Sequence, residues 1–528
     1  CVLKACGSKG FVELGEEICV EVTTKGLLRR DIVLGTSIVD MYARCNMMNK
    51  AQEVFGKLPK HDIVAWNVLI SGYAQQGLVE KAIKCFEKMQ QEGFSPNAIT
   101  LVCLLKACSA TGSLEMGEYI HAEVNRQKLL ENNVIVGNAL VDMYAKCNML
   151  KKAEQVFSKL RKRDVVCWNA MISGYVQHGY CDEATNLFTM MQDEGLSPNV
   201  VTFICILKAC ASIGYLEMGE EIHERVMKLG IIEKDIVVGT AIVDMYAKCG
   251  MLGKAKEVFD KLPKRDVISW TALISGYSQQ GLGHEALHFF QRMQDEGVSP
   301  DAITFTCILE ACGSIGSIDI GEEVHVEIQK QGLLPKNMVL CTALVDMYAK
   351  CGALTKAQDE FDEILTHDVV SWNAMISGYA QLGKVKEVIS LFNRMVAEGI
   401  TVNSITFGAL LTMCNHAGLV EEGELYLDMI NSVYFIQPTL QLYICIVDLF
   451  CRSGNFGKAM VIIEMVPILS RRQMWVAFLV ACRTWANVEL GEMAFEHLVR
   501  LDERYSGGYV CMSNIYAAAS MQESDYCE

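Results

Sequence analysis

A chain of 528 residues with a formal net charge of −16, about half of it hydrophobic, lacks the basic excess of an indiscriminate nucleic-acid or membrane-surface binder. Its 23 cysteines are odd in number and scattered, which fits a reducing compartment better than a disulfide framework. No apolar run reaches the roughly 18 residues of a membrane span, so no membrane partner is predicted.

In chain order, three phrases recur. An LKAC-like phrase begins at Leu3, Leu105, Leu207 and Leu309; a DMYAKC-like phrase at Asp40, Asp142, Asp244 and Asp346; and a W-[N/T]-x-[L/M]-I-S-G-Y phrase at Trp66, Trp168, Trp270 and Trp372. The interval is 102 residues each time, and it divides into modules of 36, 31 and 35 residues. A repeat period of this kind overrides what length alone says about domain number.

Each module reads as two short helices. In the module from Ile236 to Asp266, the apolar stripe Leu252, Ala255, Val258, Phe259 and Leu262 marks one helical face. Gly250, Gly352 and Gly454 share a slot with Asn46 and Asn148, the residue types that best tolerate a left-handed helix C-terminus. Pro96, Pro198 and Pro300 stop second helices of the 35-residue modules. One helical hairpin cannot bury its apolar face alone, so stacked neighbours must supply the core. The predicted fold is therefore all-α, a right-handed α-solenoid superhelix of helix-turn-helix repeats.

A partial long module occupies 1–31. Short, standard and long modules then alternate at 32–62, 63–97, 98–133, 134–164, 165–199, 200–235, 236–266, 267–301, 302–337, 338–368, 369–403, 404–439 and 440–471. Phrases such as VVSWNAMISGYAQLGKVKEVISLFNRM from Val369 and GTAIVDMYAKCGMLGKAKEVFDKLPKRD from Gly239 resemble pentatricopeptide repeats of the plant organellar kind, and the alternation resembles the PLS subclass. The segment at 472–505, containing MWVAFLVACRTWANVELGEMAFEHLVRLDE, resembles the E motif of editing-factor proteins; 506–528 resembles the start of a second, truncated one. Trp485, Ala486 and Glu503 depart from the usual E pattern. Cys1 in place of Met is expected of a fragment, and no transit peptide is legible.

The resemblance implies a reader of single-stranded RNA, one base per repeat, located in a mitochondrion or chloroplast. In the family, specificity falls on the fifth residue of a module together with its last. In the short modules these are Thr36 with Asp62, Asn138 with Asp164, Thr240 with Asp266, and Thr342 with Asp368. In the standard modules they are Asn67 with Asn97, Asn169 with Asn199, Thr271 with Asp301, and Asn373 with Asn403. An ionised Asp only accepts, whereas an Asn amide also donates. The family's pairing rules then give the footprint G-Y-N-U-Y-N-G-G-N-G-Y-N-N from Ile32 onward. In editing factors of this type the edited cytidine lies four nucleotides beyond the base of the last short module, which here begins at Leu440. Long modules, with Val102, Ile204, Thr306 and Gly408 in the fifth slot, resist decoding.

A second-residue row of Val33, Val64, Ile99, Ile135, Val166, Val201, Val237, Ile268, Ile303, Val339, Val370 and Ile405 would clamp bases by apolar contact, or would simply pack at helix starts. Arg44, Lys146, Lys248, Lys350 and Arg452 share one slot near the end of a first helix; they would track phosphates, or only complement a helix terminus. Asp or Asn before a helix is also what N-capping alone places there. The four repeated Trp belong to packing.

No catalytic residue, cofactor or metal is predicted. The C-x4-C pairs Cys1/Cys6, Cys103/Cys108, Cys205/Cys210 and Cys307/Cys312 would point about 140° apart on a helix, which suits buried thiols and not a metal. His121-Ala122-Glu123 and His325-Val326-Glu327 match half of a zinc-deaminase signature, but the chain has no C-x-x-C. The leading expectation is a site-recognition factor for cytidine-to-uridine editing, with a deaminase or other editing-complex protein as partner through the E-like region. RNA stabilisation, splicing or translation is the runner-up, and a protein-binding scaffold is the alternative of another class.

Overall fold

The computed structural model describes residues 2–29, 31–334, 337–467, 471–485, 487–501 and 506–525. Cys1, Ala486 and Glu503, singled out above, lie outside them. Among the described residues there are 31 α-helices and no strand. The chain divides into two compact units, Cys1–Arg265 and Asp266–Glu528.

Within each unit the architecture is an α-solenoid of helical hairpins. In the first, helices Ile32–Arg44, Ile63–Gln75, Ala98–Thr111, Val134–Lys146, Val165–Gln177, Val200–Ile213 and Ile236–Lys248 stack in one row, each also packed on the helix that follows it in sequence. The second unit repeats the arrangement from Val267–Gln279 to Leu440–Arg452 and continues it through Arg472–Thr484 and Ser506–Asp525.

Local chemistry explains where these helices start and stop. Asp31, Asp62, Asn97, Asn133, Asp164, Asn199, Asp235, Asp266, Asp301, Asn337, Asp368, Asn403 and Thr439 each sit in extended backbone and accept a backbone N–H of the helix they precede. The hairpin turn in short modules carries a left-handed residue, Asn46 at φ 64° and Asn148 at φ 59° where the later copies have glycine.

The core forms between the rows. Trp168 is fully buried and meets Phe157 edge-on at 4.8 Å, and Trp372 meets Phe361 in the same way at 4.8 Å. The second helix of each long module approaches its neighbour closely at a glycine; a Cβ on Gly117 would lie 2.5 Å from Met143 Sδ, so that methionine side chain would have to move. The buried thiols are free, and burial pushes Cys108 up to about 11 and Cys210 up to about 12.

His121 and His325 of the H-x-E segments, and His223 in the same slot of the long module between them, are structural in this setting. His121 Nδ1 lies 2.8 Å from the Tyr144 hydroxyl, His223 Nδ1 3.0 Å from that of Tyr246, and His325 Nδ1 2.9 Å from that of Tyr348. Burial lowers the pKa of His121 and His223, because desolvation penalises the imidazolium. The unfolded chain therefore binds protons that the folded one resists, between the ordinary value of about 6.5 and the lowered folded value. Stability is fully present above that ordinary value and falls as pH drops through the window. Replacing both residues with Gln is expected to flatten the decline of the melting temperature below pH ~6.5; an unaltered decline would show that other groups set it.

Candidate functional site

Where the fifth residue is Asn, it hydrogen-bonds to the last residue of its module across one helix start, at Asn67, Asn138, Asn169 and Asn373. In the standard modules the last residue caps the next helix and the fifth leans onto it. Asn67 Nδ2 donates to Asn97 Oδ1 at 3.3 Å, Asn169 to Asn199 at 3.0 Å and Asn373 to Asn403 at 3.2 Å. A further residue, not foreseen from the sequence, locks each pair. The Thr100 hydroxyl donates to Asn67 Oδ1 at 2.5 Å, and those of Thr202 and Thr406 donate to Asn169 and Asn373, both at 2.7 Å. Thr304 replaces this contact with a 2.7 Å hydroxyl pair to Thr271, and it donates to Asp301 at 2.8 Å. The signal that would have found these threonines is N/D-x-x-T at the standard-to-long boundary, a capping box repeated every 102 residues.

Capping leaves half of each last-slot side chain open. The bonds that Asp62, Asp164 and Asp368 accept at the helix start all fall on Oδ1. Asn138 Nδ2 also donates to Asp164 Oδ1, at 2.9 Å. Asn97, Asn199 and Asn403 likewise cap through Oδ1. Asp therefore presents a spare acceptor oxygen where Asn presents an amide that donates, so a cap and a reading group are compatible in one residue. Thr240 lies in the first unit and Asp266 caps the first helix of the second. The Thr36, Thr240 and Thr342 hydroxyls are buried without a hydrogen-bond partner among the described residues, an unusual state for a buried polar group.

The β-branched row stands out of the core. All twelve side chains are exposed, from 52% at Val201 to 74% at Val33. Packing at helix starts does not account for that exposure. In the first unit Val64 and Ile99 flank a pocket of about 300 Å³ that Asn67 and Asn97 also line, with Arg44 at its margin. Apolar walls with a few polar groups at the back are the general form of a small-ligand site.

The cations are less free than their spacing suggests. Arg44, Lys146, Lys248, Lys350 and Arg452 each pair with the Asp four residues earlier, at 2.7 to 3.0 Å, and stay roughly half exposed. Such pairs contribute little stability and leave the slot locally near neutral. A larger pocket, of about 530 Å³, lies elsewhere, against the second helices at His223, Glu224, Lys254 and Glu257. Its lining includes Glu220 and Glu233 beside Lys261, and shares no residue with the base-reading slots.

Comparison with known proteins agrees with the repeat phrases. Residues 61–110, 163–212, 265–314 and 367–416 match the family model of the PPR repeat family, and 36–63, 138–165 and 240–267 match the PPR repeat. Residues 485–524 match the E motif, spanning parts of both C-terminal segments set apart above. A chloroplastic pentatricopeptide repeat-containing protein of Arabidopsis thaliana is 36% identical over 522 residues, 99% of this chain and 64% of its own length. A mitochondrial one from the same plant is 34% identical over 526 residues, 98% of this chain and 79% of its own length. The chain spans 64% and 59% of the length of the first two curated relatives. The crystal structure of the pentatricopeptide repeat protein PPR10 from maize shares the fold, with a TM-score of 0.53 at 17% identity, over 99% of this chain and 89% of that one. With the hairpin modules, their caps and these matches together, this chain belongs to the pentatricopeptide repeat family and carries an E motif.

Proposed function

We propose that the chain reads single-stranded RNA, one base per repeat with the short and standard modules setting the identity, and addresses an editing activity to a cytidine in organellar transcripts. The observation that carries this reading is the pocket between Val64 and Ile99 with Asn67 and Asn97 in its wall, in a chain whose twelve second-slot residues are all exposed. A base held between two β-branched side chains brings its Watson–Crick edge to the fifth and last residues, as sequence-specific recognition of unpaired bases requires.

The E motif supports editing as the downstream event. A deaminase or another editing-complex protein, in trans or in a further domain, would supply the chemistry, and this chain the address. Relatives named chloroplastic and mitochondrial support an organellar location without choosing between the two. The line of paired cations gives phosphates a place to compete with the Asp partners, a contact that weakens as salt rises.

The test is binding of the purified chain to G-Y-N-U-Y-N-G-G-N-G-Y-N-N, against the same RNA with its guanines changed to adenines, at near-physiological salt. A loss of at least about a hundredfold is expected, since each mismatch costs roughly 1–3 kcal/mol. Equal affinity for the two would make the decoded residues caps alone and bring the protein-binding scaffold forward.

A further inference from the structure

The fifth slot of the long modules differs among its four copies. Val102, Ile204 and Thr306 fill it with branched side chains, and the Thr306 hydroxyl is turned back onto its own helix, donating to Ala302 O at 2.9 Å. The fourth copy has Gly408. A Cβ built there would meet only Leu442 Cδ2, at 3.9 Å, so the glycine is not demanded by packing. What it leaves is a pocket of about 350 Å³, lined among others by Ser377, Gln381, Ile405, Thr412, Thr439 and Gln441.

This pocket stands in the same relation to its module as the pocket at Asn67 does to the standard one. Ile405 is its exposed second residue, Gly408 its fifth and Thr439 its last. The Thr439 oxygen accepts the Leu442 N–H at 3.5 Å, which leaves the hydroxyl hydrogen to donate. The side chains of Ser377, Gln381 and Gln441 make no hydrogen bond among the described residues. A hydroxyl and two carboxamides are thus left open around a slot from which the side chain has been removed.

We propose that the long module at 404–439 is a base site of its own and takes a purine at the twelfth position of the footprint, resting on the RNA-reading function above. The missing fifth side chain gives the bicyclic base the depth that the branched residues deny it in the other copies. Carboxamides both donate and accept, so they match the N7 acceptor with either the O6 of guanine or the N6 amino group of adenine. The site therefore selects purine over pyrimidine and does not separate the two purines.

The experiment compares RNAs carrying A, G, C, U or an abasic residue at the twelfth position, for the native chain, for Gly408→Val, which fills the slot, and for Gln441→Ala, which removes an exposed amide. The native chain is expected to bind A and G roughly tenfold more tightly than C, U or the abasic RNA, a difference of about 1.4 kcal/mol. Gly408→Val should abolish that preference with an unchanged melting curve, and Gln441→Ala should reduce it. An internal control is the eleventh position, read by Asn373 and Asn403, where a pyrimidine should be preferred by all three proteins. Discrimination at the eleventh position without any at the twelfth, or a pyrimidine preference at the twelfth, overturns the purine site and leaves the RNA-reading function intact. Absence of discrimination at both overturns the parent reading. A purine preference that survives Gly408→Val would move the site away from this pocket and also refute the proposal.

Discussion

Asp368→Asn is expected to turn the preference of the module at 338–368 from guanine to adenine. Oδ1 of Asp368 accepts the Val370 and Ser371 N–H groups at 3.1 and 2.8 Å, and an Asn oxygen keeps both bonds, so the helix keeps its cap. The substitution changes the other half of the side chain, where an acceptor oxygen becomes a donating amide. Guanine offers a ring N1–H to an acceptor; adenine offers a bare N1 to a donor. Competition between RNAs with G or A at the tenth position should show the preference reversing by roughly 10- to 100-fold in total, from the ~1–3 kcal/mol that a mismatched base costs. Stability should move by less than about 0.5 kcal/mol. If the variant keeps its cap and still prefers guanine, the last slot is a cap and nothing more.

The largest effect on stability is expected at Trp168. It is fully buried and meets Phe157 edge-on at 4.8 Å with the rings 81° apart. Truncation to alanine leaves a cavity the size of an indole, and such changes cost about 3–5 kcal/mol. In a repeat array each hairpin is held by its neighbours, so the loss should appear as local opening around 165–199, read as accelerated amide exchange in the helix Val165–Gln177. Val166, two residues earlier on the same helix, is 59% exposed. Val166→Ala should leave stability within about 0.5 kcal/mol while weakening RNA binding. Equal destabilisation by the two substitutions would remove the distinction between buried core and exposed row on which the proposed base clamp rests.

That pair of residues also separates what could be read in the sequence from what could not. Helix starts and turns were legible because they are local. Asp164 or Asn199 accepts an N–H three residues ahead, and Asn46 or Gly250 ends a helix by its own backbone preference. Trp168 was legible as core because its phrase never varies in register. Val166 was not, since an apolar residue repeated at a helix start suits a buried or an exposed position equally until the neighbouring helices are in place.

The candidate site divides along the same line. The fifth and last residues were visible as a pair of slots, one varying within a nearly constant phrase. Their mutual hydrogen bonds, and the Thr100, Thr202 and Thr406 hydroxyls that lock them, join residues 30 or 33 positions apart and exist only once one module stacks on the next. The cation slot was plain in the sequence, yet its charge is offset by Asp40, Asp142, Asp244, Asp346 and Asp448 on the preceding turn. A period and a cap are set by the chain near them; which face of each helix is left for a ligand is set by the module beside it.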